Sequence, residues 1–147
     1  SYYELLGENE AAQEIYDNLS MYMGHVFEKI CTQYLIRLAK QRKLPFVPHT
    51  MGRWWGNNPK TRKEDDIDIL ALDKSGQSAI FCECKYRNKL FDMDEYKDFL
   101  NATAIFTKPN NRFYYLFSKS GFTKAVKTRA QHDGVKLVGL DDLFMAD

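Results

Sequence analysis

Two apolar segments joined by a short polar turn constrain the fold of this chain most strongly. The first is DDIDILAL, which ends at Leu72; the turn is DKSGQ, and the second is SAIFCECKY, which begins at Ser78. Branched and aromatic residues favour strands, and two such runs around a loop that contains glycine indicate an antiparallel β-hairpin. Both faces of this hairpin are apolar over most of its length. We therefore expect it to lie in the middle of a sheet that is covered on both sides.

The length of the turn predicts which residues face each other across the hairpin. With strands over 67–72 and 79–84, the pairs expected on one face are Leu72 with Ala79, Leu70 with Phe81, and Asp68 with Glu83. The pairs expected on the other face are Ala71 with Ile80, Ile69 with Cys82, and Ile67 with Cys84. Gly76 in the turn suits a left-handed backbone conformation. One end of the hairpin should therefore be apolar, while the other brings two carboxylates together.

Segments on either side of the hairpin predict four helices and three further strands. Helices are expected over 10–42, 92–104, 120–134 and 141–145, and strands over 49–55, 112–118 and 135–140. Pro45 and Pro48 should end the first helix, Asp92 or Asp94 should cap the second, and Gly134 should stop the third. This order of elements predicts an α/β fold with a mixed central sheet flanked by helices. At 147 residues, the chain is expected to form a single domain over 1–147.

The charged end of the hairpin carries Asp66, Asp68, Glu83 and Lys85. Side chains alternate faces along a strand, so Glu83 and Lys85 should point the same way. Carboxylates held opposite each other repel, and half-buried ones need a proton or a cation. Oxygen ligands of this kind suit Mg²⁺ or Mn²⁺, so the pattern is compatible with a divalent-metal site. It is also compatible with solvated acids at a strand end, with Lys85 in a salt bridge to Glu83 or Asp68.

Composition excludes some classes of protein and leaves others open. The formal net charge of +1 neither requires nor excludes a nucleic acid, so any basic surface must be local. No apolar run approaches the roughly 20 residues that a membrane span needs, and we expect no membrane association. Three cysteines without a CxxC pair, and no signal-peptide pattern, lead us to expect a reducing, cytoplasmic setting. Without a GxxxxGK motif, this chain is not expected to bind ATP through a P-loop.

Several motifs resemble those of known nucleases. IDILA followed by FCECKYR is similar to the signature of the PD-(D/E)XK superfamily, whose restriction-endonuclease-like core has the order α-β-β-β-α-β. More narrowly, GHVFEKI, GRWWG, DDIDILALD with ECKYR, and LFSKSGF resemble the C-terminal domain of archaeal-type ATPases, a family of unknown function. The resemblance implies that the chain is a fragment of a larger protein in which an ATPase module accompanies this domain.

The resemblance also implies roles for four residues. Asp68 and Glu83 match the metal-binding acids, which would hold Mg²⁺ or Mn²⁺, and Lys85 matches the lysine that orients or deprotonates the attacking water. Glu28, in GHVFEKI, matches the acid on the first helix that often completes such sites, although its position beside an apolar stripe also fits a solvated flank. Ile67 stands where the superfamily has its variable proline. The implied activity is hydrolysis of phosphodiester bonds in DNA.

Basic and aromatic residues supply candidates for contact with DNA, whether structured or double-stranded. The candidate phosphate-binding residues are Lys60, Arg62, Lys63, Lys124 and Lys127, with Arg53, Lys119 and Arg129 nearby. Such residues are also typical of solvated surfaces. Trp54 and Trp55 could stack on a base, but an alternating pair is more typical of a strand with one ring in the core. The alternative to a nuclease is a non-catalytic module that binds DNA or protein for an attached ATPase.

Overall fold

In the part of the chain that the structure describes, five strands and four helices follow one another in the predicted order. The computed structural model describes residues 7–60 and 62–145. The elements are α1 (Glu8–Lys40), β1 (Thr50–Asn57), β2 (Glu64–Leu72), β3 (Ser78–Lys85), α2 (Met93–Thr103), β4 (Asn111–Ser118), α3 (Lys124–Asp133), β5 (Lys136–Gly139) and α4 (Leu140–Leu143). This sequence of elements contains the α-β-β-β-α-β order of a restriction-endonuclease-like core. Among these described residues, no helix is both long enough and apolar enough to cross a bilayer.

The strands form one mixed sheet in the order β1-β2-β3-β4-β5. β1 and β3 both pair antiparallel with β2, whereas β3, β4 and β5 run parallel to one another. A parallel neighbour requires a crossover, and α2 and α3 supply the two crossovers after β3 and β4. The predicted mixed central sheet flanked by helices is thus confirmed.

Two apolar clusters cover the two faces of the sheet. Against one face, α1 packs its buried residues Phe27, Cys31 and Leu35 with Ile69, Ile80 and Cys82 of the hairpin strands. On the other face, α2 and α3 contribute Tyr96, Phe99, Val126 and Ala130, which pack with Leu70, Ala79 and Phe81. The hairpin β2–β3 is therefore covered on both sides, as its two apolar faces predict.

Local capping signals mark the start of α2 and the end of α3. Asp92, one of the two predicted caps, accepts a hydrogen bond from the Glu95 N–H in a capping box at the start of α2. Gly134 adopts the left-handed conformation that ends α3, as predicted, with φ at 75°. The first helix, however, ends at Lys40, before Pro45 is reached. A tight turn after Lys40, in which Arg42 has a φ of 58°, ends this helix. The expectation that the prolines end it is therefore wrong.

The hairpin follows the predicted register only as far as its inner pairs. Four predicted pairs are confirmed: Leu72 with Ala79, Ala71 with Ile80, Leu70 with Phe81, and Ile69 with Cys82. The ladder stops there, so the predicted pairs of Asp68 with Glu83 and of Ile67 with Cys84 are wrong. The two strands separate at the charged end, where pairing would have held two carboxylates directly opposite each other.

A β-bulge against β1 explains why the register fails. On β1, Gly52 faces Leu70 and Trp54 faces Ile67, so the single residue Arg53 lies opposite the two residues 68 and 69 of β2. The extra residue breaks the alternation of side chains along β2. Ile67 consequently packs in the same cluster as Leu70, although an unbroken strand would place these two residues on opposite faces. The bulge therefore changes the direction of the Asp68 side chain.

Candidate active site

Asp68 lies at the centre of the acidic end of the hairpin. Its side chain is buried, with 9% of the residue exposed, and Oδ2 accepts a hydrogen bond from the backbone N–H of Cys84 at 2.8 Å. This carboxylate thus takes the N–H of the residue that would have faced Ile67 in a continued ladder. The hydrogen bond holds Asp68 between β2 and β3 at the point where the two strands separate.

Glu83 and Lys85 share a face of β3, as predicted. β3 stays paired with β4 as far as Lys85, which faces Ser118, so the alternation of its side chains is unbroken. Burial raises the pKa of Glu83 well above its usual range, and a hydrogen bond with Asp68 and the charge of that residue raise it further. Lys85 opposes this shift of the Glu83 pKa. The carboxyl groups of Asp68 and Glu83 therefore interact directly, and the nearby ammonium group of Lys85 does not offset the rise in the pKa of Glu83.

Glu28 reaches the same cluster from α1. Its Oε1 lies 2.6 Å from Nη1 of Arg53, and 23% of its side chain is exposed. Burial raises the pKa of Glu28, the charge of Asp68 raises it further, and Arg53 lowers it. The structure therefore brings together all four residues predicted for the catalytic centre, Glu28, Asp68, Glu83 and Lys85, with Asp68 as the neighbour that both glutamates share.

Arg53 is the site residue whose role the sequence reasoning missed. Its guanidinium forms ion pairs with Glu28 and Asp66, and its Nη2 lies 3.7 Å from Oδ1 of Asp68. Burial lowers the pKa of Arg53, but the three acids outweigh burial and raise it. The sequence predicts Arg53 near the candidate phosphate-binding residues and Asp66 among the acids at the charged end of the hairpin. On the paired strands Asp66 faces Trp55, the neighbour of Arg53, so the contact between Arg53 and Asp66 is diagonal and depends on the bulged pairing of β1 with β2.

The carboxylates fit the way in which Mg²⁺ and Mn²⁺ bind to proteins. Mg²⁺ is usually held by one or two carboxylates, with water and substrate phosphate completing its shell. Asp68 and Glu83 form such a pair, and their shortage of positive charge is what a cation would supply. Across 7–60 and 62–145, no three or more His, Cys, Asp or Glu side chains form a ready metal-binding group. The donor set therefore fits an ion held by two carboxylates and not by a full cage.

The five predicted nucleic-acid-binding residues lie in two exposed places. Lys60, Arg62 and Lys63 belong to the loop that joins β1 and β2, and Lys124 and Lys127 lie on the first turns of α3. Because β2 runs antiparallel to β3 and β4, this loop lies at the same edge of the sheet as the carboxyl ends of β3 and β4. α3 begins shortly after β4 ends. Both places therefore flank the edge that carries Glu83 and Lys85.

The two tryptophans of β1 have different environments. Trp54 packs against the cluster on the α2 face, with its ring centroid 4.6 Å from that of Phe106. A Cβ on Gly56 would lie 2.7 Å from the Trp54 indole, so this glycine permits the close approach. Trp55 is 63% exposed and lines, together with Arg53, a depression of about 430 Å³. The predicted arrangement, with one ring in the core, is confirmed.

Comparisons with known proteins agree with this architecture. Residues 1–98 match the profile of the family DUF234, described as archaeal and bacterial proteins of unknown function. The uncharacterized protein MJECL04 of Methanocaldococcus jannaschii is 33% identical over 106 residues, which cover 70% of this chain and 23% of that protein. The chain therefore spans about a quarter of the length of this curated relative.

Two solved structures align with most of this chain. Protein VC1899 from Vibrio cholerae has a TM-score of 0.53 and 17% identity, covering 80% of this chain and 29% of that one. A repair endonuclease from Pyrococcus abyssi has a TM-score of 0.48 and 16% identity, covering 77% of this chain and 46% of that one. Of these two, the first likeness is the stronger, and at such low identity it bears on the fold alone.

Proposed function

The chain belongs to the family DUF234 of archaeal and bacterial proteins of unknown function, and we propose that it is a divalent-metal-dependent nuclease domain that hydrolyses phosphodiester bonds in DNA. The observation that carries this proposal is the proximity of Asp68 and Glu83 beside Lys85 at one edge of a nuclease-like sheet. Like-charged, half-buried carboxylates are costly to keep together unless a cation binds them.

Each residue of the cluster has a distinct role in the proposed reaction. Asp68 and Glu83 hold Mg²⁺ or Mn²⁺, which when bound would stabilise the charge that develops on the phosphate. Lys85 shares the face of Glu83 and orients the attacking water, or removes its proton. Glu28 borders Asp68 from α1 and adds negative charge beside the ion.

DNA is proposed to approach along the edge that carries the site. The loop with Lys60, Arg62 and Lys63 and the start of α3 with Lys124 and Lys127 flank this edge, where their ammonium and guanidinium groups would contact phosphates. Such contacts would position the backbone without reading its sequence. The domain over 1–147 is further proposed to act within a longer protein that carries an ATPase module, in the cytoplasm.

The test combines ion binding with cleavage. We expect calorimetry with Mn²⁺ and with Mg²⁺ to detect binding to the native chain and not to Asp68→Asn or Glu83→Gln. With double-stranded, branched and single-stranded DNA as substrates, Lys85→Met should retain ion binding while losing at least 100-fold in cleavage rate, since it lacks a general base or water-orienting group. Parallel assays with RNA substrates of the same sequences would show whether the domain cleaves RNA faster than DNA.

Asp73→Asn is the matched control, because it makes the same chemical change at the opposite end of the hairpin. It should leave ion binding and cleavage at the native level. The proposal would be contradicted by a native chain that binds neither ion, with or without DNA present, and that cleaves none of the DNA substrates.

The second candidate function is a non-catalytic module that binds DNA or protein beside an ATPase. One observation favours it: Arg53 already neutralises part of the acidic cluster, as a site that had lost its metal would require. A native chain that retards DNA in gel-shift experiments, yet neither binds Mn²⁺ nor cleaves, would support this candidate.

A further inference from the structure

The guanidinium group of Arg53 lies among three carboxylates of the acidic cluster. Nη1 of Arg53 lies 2.6 Å from Oε1 of Glu28, and Nη2 pairs with Asp66 and lies 3.7 Å from Oδ1 of Asp68. One side chain thus bridges α1 and two positions of β2. Its planar fork of donors can contact several carboxylates at once, which an ammonium group does less well.

The fold, and not a chance surface contact, places Arg53 there. The register shift between Gly52 and Trp54 puts Arg53 alone opposite residues 68 and 69, next to the carboxylate that the bulge redirects. Glu28 comes from α1, whose neighbouring residue Phe27 is fixed in the core with 1% exposure. The same irregularity therefore positions both the acid at the centre of the site and the cation that pairs with it.

Of the two carboxylates proposed to hold the ion, Asp68 is the one that also lies beside Arg53, with its Oδ1 3.7 Å from Nη2. An ion bound by Asp68 would lie within a few ångströms of the guanidinium, and two cations at that separation repel. Arg53 has room to leave, because 40% of its side chain is exposed and it borders an open depression shared with Trp55. Phosphate oxygens are a natural new partner, since arginine binds carboxylate and phosphate with similar geometry.

We propose that Arg53 is a built-in counter-cation, which neutralises Glu28 and Asp68 while the metal is absent and turns to a DNA phosphate when the ion binds. This inference rests on the proposed nuclease function and adds a control to the same site. The ion and the substrate then bind with positive coupling, because a phosphate offers Arg53 the partner that the ion takes from it.

Ion binding without nucleic acid tests the competition directly. Calorimetry with Mn²⁺ compares the metal-free native chain with Arg53→Gln and Arg53→Lys. We expect Arg53→Gln to tighten Mn²⁺ binding by about tenfold, since a competing cation is removed, and Arg53→Lys to fall between the two. Despite tighter ion binding, Arg53→Gln should raise the KM for DNA, because the phosphate contact is lost.

Arg129→Gln is the matched control for ion binding, since Arg129 also pairs with a carboxylate, Asp133, but on α3. It should leave the Mn²⁺ affinity unchanged. Equal or weaker Mn²⁺ binding by folded Arg53→Gln than by the native chain would overturn the inference and make Arg53 a residue that only holds the acids in place. If Arg53→Gln fails to fold, Arg53→Lys decides, because native-like affinity in that variant would also count against the competition.

The same titrations separate this inference from the proposed function. Mn²⁺ binding by the native chain with no effect of Arg53→Gln would refute the inference alone. No binding by the native chain or by either Arg53 variant, with or without DNA, would refute both. Binding by Arg53→Gln but not by the native chain would support the inference in its strongest form.

Discussion

The two ends of the β2–β3 hairpin treat their carboxylates in opposite ways. At the turn, Asp73 is partly exposed and accepts hydrogen bonds from the Ser75 hydroxyl and the Ser78 N–H. Desolvation raises the pKa of Asp73, but the hydrogen bonds that this carboxylate accepts from the turn together outweigh desolvation and lower the pKa. At the other end, burial and the neighbouring Asp68 raise the pKa of Glu83 well above its usual range.

The ionised form of Asp73 therefore stabilises the folded chain, whereas the ionised form of Glu83 destabilises it. The turn-end acid satisfies backbone donors that would otherwise lack partners, as acids in turns commonly do. Glu83 instead interacts with a second carboxylate, that of Asp68, at the place where the ladder stops and β2 bulges. The hairpin therefore gains stability from its regular part and carries its unsatisfied charge at its irregular end, which is where a cation would act.

The largest expected effect comes from the regular part of the hairpin. Phe81 has no exposed surface and packs against Phe106 and Tyr114 with centroid distances of 5.3 and 5.6 Å. Phe81→Ala should lower the free energy of unfolding by about 3–5 kcal/mol, since it removes buried apolar area and leaves a cavity. Urea denaturation followed by circular dichroism would measure the loss. Leu90→Ala, at a residue that is 47% exposed, should change stability by less than about 0.5 kcal/mol.

A smaller effect is expected at the turn. Gly76 has φ at +75°, and a Cβ there would lie 3.1 Å from Nζ of Lys108. Gly76→Ala should cost about 1–2 kcal/mol, because L-residues other than glycine are strained in this region. Gly24→Ala is a contrasting control, since its Cβ would meet nothing within 4 Å inside α1. That variant should be more stable than the native chain by about 0.5–1 kcal/mol, and a loss at Gly24 would contradict this account.

The smallest effect is expected in the pH dependence of the stability of Glu83→Gln, which tests the difference between the two ends of the hairpin directly. The raised pKa of Glu83 means that the folded chain keeps a proton which the unfolded chain releases above its ordinary pKa of about 4.3. Without metal, this contribution is present at lower pH, and stability falls as the pH rises from the ordinary pKa through the raised one. Glu83→Gln should remove that decline in thermal melts recorded in EDTA.

Asp73→Asn provides the opposite sign at the other end. The lowered pKa of Asp73 stabilises the fold above its ordinary pKa, and this support is lost as the pH falls through the lowered value. Asp73→Asn should therefore reduce the loss of unfolding free energy at acid pH. Near neutral pH, the dependence of the unfolding free energy on pH should stay as in the native chain. If both variants changed the same side of the curve, the two ends of the hairpin would not differ as described.

Much of the scaffold could be predicted from local patterns. The turn around Gly76, the capping of α2 by Asp92 and the inner pairs of the hairpin all follow from short-range rules, and all are present. The shared face of Glu83 and Lys85 also follows from strand alternation, because β3 is regular to its end. The bulge opposite Arg53 could not be predicted, since no residue type marks it and it exists only where β1 pairs with β2.

The order of the elements, the two apolar faces of the sheet and the residue types of the acidic cluster all follow from the sequence alone. These features depend on side-chain periodicity and on turn and cap chemistry, which act over a few neighbouring residues. The hydrogen bond from the Cys84 N–H to Asp68 and the ion pair between Arg53 and Glu28 arise in the tertiary structure. Those contacts depend on an irregular pairing between two strands and on the packing of α1, in which residues distant in sequence must meet.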